Sequence, residues 1–353
     1  MDYTQERTTT YEFEMVSPFD LDDSLGFMQG VNAGESSLQW GYYAQLRTTG
    51  SLSVVDCDYI ANALVRVWAI FQQGDERERI ELGTYFVDSS DMTYRFGRWT
   101  GTMNLHSTLL RYEDDRLSAP ESAAKGSSAR ARFAKLVTDA GGAAEVMGDV
   151  ADAAFSASLV WDFGTKVRDC LQDCADAVDG RIDVDPHGRT ILERYVVPSS
   201  RPVSYTWPSG ERSITMAGLG LEDSAYSSPN RFAVKYENDE VSVYAHCDVP
   251  PEHWASYENV GRRINDVHEL NELDPATYEN ALAIAQRYRA ANMSRTRKWL
   301  ARGFYHPVRT GQVVRFVYDD GGGSVDKTVM VQQIDMKLTP GAYCEYIFDE
   351  VMD

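Results

Sequence analysis

The sequence predicts a mainly β fold with α+β insertions. Three observations carry this expectation. Aromatic residues are abundant, with 20 Tyr, 13 Phe and 7 Trp, and such rings suit half-buried strands. Apolar runs of strand length recur, separated by polar turns that contain glycine. Helical spacing is confined to three stretches, near 131–140, 165–180 and 275–292. A chain of 353 residues is long for one core, so two to four domains are expected.

Residues 1–117 read as a first β domain. "LQWGYYAQLRTTGSLSVVD" has the aromatic and β-branched content of strands, with Thr48-Thr49-Gly50 as a turn. In the run Ala63 to Phe71, Val65, Val67, Ala69 and Phe71 share one face. Leu64, Arg66, Trp68 and Ile70 share the other, and both faces are mostly apolar. Such a strand is expected at the centre of a sheet or at an interface. A polar loop, "QQGDERE", separates it from a second strand, Arg79 to Val87, in the pattern of a hairpin. "WTGTMNLHSTLLRY" supplies a further strand.

Residues 118–132 are rich in small residues and read as a boundary. An α+β domain is expected over 118–212. Its first helix, Ala131–Ala140, stops at Gly141-Gly142. Its second begins near Thr165, a plausible N-cap, and stops at Gly180. Val167, Cys170, Leu171, Cys174 and Val178 fall on one face of that helix. This makes Cys170 and Cys174 small core residues rather than a redox pair, which uses C-x-x-C. Two short strands follow around Asp185-Pro186-His187-Gly188.

Residues 213–353 read as a second β domain with an inserted helix at 275–292. "RFAVKYENDEVSVYA" is a hairpin around Glu237 to Glu240. The helix has Asp274 as cap, Pro275 at its first position, and a stripe of Tyr278, Leu282 and Ala285. Three or four strands in meander order then run from Gly311 to Met352, with Gly321-Gly322-Gly323 in a loop.

The net charge is −20, which argues against a surface that grips nucleic acid. It is compatible with a surface past which DNA slides without sticking. Residues 1–60 carry ten acidic and two basic side chains, whereas residues 280–318 carry eight basic and no acidic ones. Two solvated faces or a complementary contact between domains or subunits would each produce this asymmetry. Five cysteines without zinc-ribbon spacing point to reduced thiols in a protein made in a cytosol. The N-terminus lacks a signal-peptide pattern, and no run of eighteen apolar residues occurs.

No catalytic or cofactor motif is present: G-x-S-x-G, a P-loop, a Rossmann fingerprint and H-E-x-x-H are all missing. His246, Cys247, Asp248 and His253 are potential zinc donors, but His246 and Cys247 are adjacent and would face opposite ways on a strand. A loop with incidental donors is the expectation, so no metal, cofactor or catalytic residue is assigned. Glu76, Glu78 and Glu81 form the most obvious acidic trio. Glycoside hydrolysis needs two carboxyls at a fixed separation in a cleft. Arg77 and Arg79 interleave, which favours a solvated hairpin tip.

"VRVWAIFQQGDERERIELGTYFVDSSD" followed by "GRWTGTMNLHSTLLRYEDDRL" resembles the first domain of siphophage tail hub proteins. "WDFGTKVRDCLQDCADAVDGRIDVDPHGRTILERYVVP" resembles their helix-plus-hairpin module, "SSPNRFAVKYEND" the segment that re-enters the hub core, and "FYHPVRTGQVVRFVY" their last barrel. The resemblance is one of pattern and order over most of residues 60–350, and the first 55 residues match less clearly. It implies a baseplate-hub-like fold related to the hub part of VgrG-type spikes, with two related β-barrel hub domains plus smaller inserted helix and hairpin domains.

The resemblance further implies a non-enzymatic virion protein at the tail tip, made in the bacterial host cytoplasm. Three copies would form a ring that adapts the sixfold tail tube to threefold tip proteins and lines the DNA channel. Implied partners are the distal tail protein or tube ring, the tape measure protein and tip or receptor-binding proteins, with DNA passing unbound and no membrane insertion. Such symmetry needs complementary surfaces. The candidate interface residues are Trp68, Glu76, Arg77, Glu78, Arg79, Arg295, Arg297 and Lys298. With the chain ending at Asp353, no wall-degrading module is expected. An acid-dependent glycan hydrolase and a hexameric distal tail protein are the alternatives.

Overall fold

The computed structural model describes residues 1–89, 91–155, 158–210, 213–223, 228–237, 241–270, 276–293, 297–319 and 324–351. The chain separates into two compact units. One comprises residues 1–197, 303–310 and 333–345, and the other residues 198–302, 311–332 and 346–353. Both are mainly β, with smaller α+β parts.

The first unit opens with β1 (Thr8–Val16), β2 (Ser24–Phe27), β3 (Val31–Gly41), β4 (Thr48–Cys57), β5 (Leu64–Gln73), β6 (Glu76–Asp88), β7 (Met92–Arg95) and β8 (Arg98–Ser107). The strand order is β2-β1-β5-β6-β8-β4-β3, and residues 333–337 add to β3. The two ends of this path are tied together. Thr9 N–H donates to the Pro340 carbonyl at 2.9 Å, and the Tyr11 hydroxyl donates to the Thr339 carbonyl at 2.9 Å.

The two-faced apolar run occupies β5, which lies between β1 and β6, and Leu64, Val65, Val67, Ala69 and Phe71 are wholly buried. The hairpin loop is shorter than expected. Gln73 pairs with Glu76, so only Gly74 and Asp75 turn, and Glu76 to Arg79 are strand residues. Further along, Val67 faces Gly83 while Trp68 faces Glu81, which leaves Leu82 as an extra residue in a bulge. Gly83 is required here: a Cβ would lie 2.3 Å from the Tyr85 hydroxyl. Tyr85 is fully buried and closes over that gap.

The rest of this unit contains α1 (Leu110–Asp114), β9 (Glu121–Ala123), α2 (Ala129–Asp139), β10 (Ala144–Val146), β11 (Leu159–Trp161), α3 (Val167–Asp176), β12 (Gly180–Val184) and β13 (Thr190–Arg194). Its core joins Phe133, Leu136 and Val137 of α2 to Cys170, Leu171 and Cys174 of α3, with Ile182 and Leu192 of the hairpin. Burial pushes the Cys170 and Cys174 thiols up to about 11 and about 12, which leaves them unreactive. The cap of α3 is Lys166, not Thr165, and it makes no side-chain capping bond. The left-handed residue after the helix is Asp179 (φ +49°), one position before Gly180. Gly180 instead starts β12, where a Cβ would meet the Val178 and Leu192 side chains at 2.9 and 3.0 Å.

The remaining elements are β14 (Val203–Trp207), β15 (Gly220–Asp223), β16 (Arg231–Glu237), β17 (Ser242–Asp248), α4 (Tyr257–Val260), β18 (Asn265–Leu270), α5 (Tyr278–Met293), β19 (Arg297–Phe304), β20 (Val313–Asp319), β21 (Ser324–Lys337) and β22 (Tyr343–Glu350), which belong to the second unit except for residues 303–304, 333–337 and 343–345. The main order is β14-β20-β21-β22-β19-β15. Trp207 is the centre of its core, packed edge-on to Tyr346 at 4.9 Å and Phe348 at 5.5 Å.

The hairpin β16–β17 does not join that sheet. With β18 it forms a separate three-stranded sheet, β17-β16-β18, on which α5 packs through Ala281 and Ala285. The buried stripe of α5 is thus centred on Ala281, Ala285 and Leu282, while Tyr278 is exposed. Asp274, Pro275, the turn residues 238–240 and Gly321 to Gly323 lie outside the described residues.

Candidate functional site

The β5–β6 hairpin gathers five of the candidate interface residues in the first unit. Trp68 presents its ring to Arg79, whose guanidinium carbon lies 3.8 Å from the ring centroid. Arg79 also pairs with Glu12 of β1 at 2.9 Å, and Arg77 approaches the same carboxylate at 3.8 Å. Glu76 meets the N-terminal ammonium at 3.4 Å. Burial raises the Tyr3 phenol well above its ordinary value, and the nearby Glu78 carboxylate acts in the same direction. The charges therefore form cross-strand pairs along β1, β5 and β6, a satisfied polar surface rather than a cleft.

Arg297 and Lys298 belong to the second unit, on β19. Arg297 lies over the Trp254 ring at 5.0 Å and 3.9 Å from Glu350. Arg295 falls outside the described residues. Part of the basic stretch is used internally: Arg315 pairs with Asp326, and Arg289 donates to the Asp248 carbonyl.

The zinc-donor set does not assemble. On β17, His246 and Asp248 are exposed and Cys247 is buried, the alternation expected of a strand. Asp248 is held by Arg231 at 2.6 Å, which keeps its carboxyl below the usual range. Among the described residues no group of three or more His, Cys, Asp and Glu side chains is placed to hold a metal.

Glu81 is not part of the exposed tip. Its carboxylate lies 2.7 Å from Arg66 Nε and 3.2 Å from His187 Nδ1. His187 Nε2 reaches Asp22 at 3.1 Å. Arg66 also donates to the Leu21 carbonyl at 2.7 Å and to the Thr84 hydroxyl at 3.0 Å, and Glu14 sits 3.9 Å away. Burial raises Glu81 above the usual carboxylate range, although Arg66 and His187 oppose it. For Glu14 burial acts in the same direction, but Ser24, Trp68 and Arg66 outweigh it and the net shift is downward. This network ties β5, β6, the loop before β2 and the β12–β13 turn together. Its partners are 15 and 106 positions from Glu81 in sequence, so no local pattern could reveal it.

No family model matches this chain, and no curated protein sequence does. Solved structures do. The tail protein from Neisseria meningitidis MC58 superposes with a TM-score of 0.67, covering 96% of each chain at 12% identity. The fold is that of a phage tail protein. The 43 kDa tail protein of prophage MuSo2 from Shewanella oneidensis gives 0.61, covering 96% of this chain and 98% of that one at 13% identity. The prophage tail protein gp18 from Listeria monocytogenes gives 0.56, with 96% and 94% covered at 8% identity. The tail-protein fold thus spans both units of this chain, not one inserted part.

Proposed function

We propose that this chain is a structural component of a phage tail, the hub at the tail tip. Three copies form a ring that adapts a sixfold tube to threefold tip proteins and surrounds the channel through which DNA leaves. The observation that carries this reading is the fold likeness to phage tail proteins over 96% of both chains. The net charge of −20 supports it, since an acidic lining repels a phosphate backbone. The partners on this reading are the neighbouring tube or distal tail ring, the tape measure protein and the tip proteins.

The acids of the β5–β6 hairpin fit a structural role. Glu76 engages the N-terminus and Glu81 is held between Arg66 and His187. Imaging of the purified assembly tests the reading: three copies around an open channel support it, and a stable monomer overturns it. A ring of six would assign the chain to the distal tail position instead. Release of sugar from peptidoglycan, abolished by one Glu or Asp substitution, would replace both with a hydrolase.

A further inference from the structure

The β7–β8 hairpin ends in a two-residue turn, Phe96-Gly97, with Arg95 paired to Arg98 across it. Both turn residues have positive φ, +51° and +79°. That turn matches the twist of a two-stranded ribbon, and it favours Asn-Gly or Gly-Gly because a Cβ is disfavoured there. Phe96 is an aromatic residue in that position. Its side chain is wholly exposed, at 102% of the reference area, so no burial offsets the backbone cost. Beneath it the Tyr94 and Trp99 rings pack at 4.8 Å with their planes tilted by 48°, which stiffens the arm. Arg95 forms no ion pair among the described residues, and Arg98 has only a loose one, 3.8 Å from Asp58. An exposed ring held between two arginines suits a knob for a socket with acidic edges.

The same unit offers such a socket. A cavity of about 190 Å³ opens beside the loop before β2, lined by Pro18, Phe19, Asp20, Tyr112, Gly142 and His187 among others. A cavity of roughly 150 Å³ already accommodates a benzene ring. Phe19 stands at its rim, 95% exposed. The loop carries three carboxylates. Asp22 is engaged with His187, whereas Asp20 and Asp23 have no cationic partner among the described residues. The arginines on the cavity wall are occupied: Arg111 donates to the Pro18 carbonyl at 3.0 Å, and Arg189 pairs with Asp185 at 2.7 Å and Glu145 at 3.1 Å.

We propose that Phe96 of one copy of this chain seats in the cavity beside the Pro18–Asp23 loop of the next copy, with Arg95 and Arg98 against Asp20 and Asp23. Knob and socket are different surfaces, so the contact is head-to-tail and propagates around a closed ring. This rests on the reading of the chain as a ring of identical copies.

The test uses the full chain. Copies bearing Phe96→Cys and copies bearing Ala143→Cys, at the exposed cavity edge, are co-expressed with different tags and oxidised. The native cysteines are all buried and do not interfere. A disulfide-linked species carrying both tags is expected, and neither variant alone should give one. In parallel, Phe96→Asn should weaken assembly at least tenfold while leaving the thermal midpoint of the dissociated chain unchanged or higher. A ring that forms without the mixed disulfide, or with Phe96→Asn assembling like the wild type, overturns this contact and leaves the ring reading standing. A wild-type chain that never assembles overturns both.

Discussion

Arg66 Nε lies 2.7 Å from Oε1 of Glu81, and the Arg66 side chain is only 6% exposed. Removing a buried cation strands its acid in a poor solvent, which typically costs about 3–5 kcal/mol. Arg66→Met should lower stability to denaturant by that order, because Glu81 and Glu14 both lose their neighbour. Adding Glu81→Gln should restore part of the loss. Urea unfolding of the two variants measures both effects. Equal stabilities for Arg66→Met and the wild type would show that the network is solvated and unimportant.

Gly83→Ala should destabilise the first unit by about 1–3 kcal/mol, the usual cost of overpacking. The inserted Cβ would fall 2.3 Å from the Tyr85 hydroxyl and 2.6 Å from the ring carbon that bears it. Tyr85→Phe removes the nearer atom only, so in the double variant it should recover part of the loss. Thermal unfolding of the three variants checks this.

His306 makes stability depend on pH. It is buried against Tyr3, at a ring distance of 5.6 Å. Burial, with Arg7 nearby, lowers its pKa to about 4 from an ordinary value of 6.5. Between those values the unfolded chain binds a proton that the folded chain refuses, so the stabilisation is complete above pH 6.5 and declines as pH falls towards 4. The loss from this group is on the order of 3 kcal/mol. His306→Phe should flatten that part of the stability curve. A wild-type curve that is already flat between those values would contradict the assignment.

In the second unit, Trp207 should be the most sensitive apolar position. It is 1% exposed and contacts Tyr346, Phe348 and Phe316. Trp207→Ala should cost about 3–5 kcal/mol, read as a lower denaturant midpoint for the tryptophan-independent circular dichroism signal.

Much of the architecture was legible because it is local. The central position of β5 follows from two apolar faces, and the buried face of α3 follows from helical spacing. The errors have physical reasons too. Gly180 looked like a helix stop, but Asp179 tolerates the left-handed conformation and glycine was needed for packing against Val178 and Leu192. The hairpin β16–β17 was readable as a hairpin, but strand pattern does not say which sheet a strand joins, and it lies in the separate sheet β17-β16-β18. Phe96-Gly97 carries no Asn-Gly turn signal, so β7 was not anticipated. Of the candidate interface, the alternating charges at Glu76 to Arg79 were visible in sequence. Their partners Glu12 and Trp68 were not, because strand register brings them together.

On the proposed reading, identical copies build a ring at a phage tail tip. Counting subunits in the purified assembly, by native mass and by image symmetry, tests it most directly. Three copies around a central channel are expected. A stable monomer, or a ring of six, would contradict it.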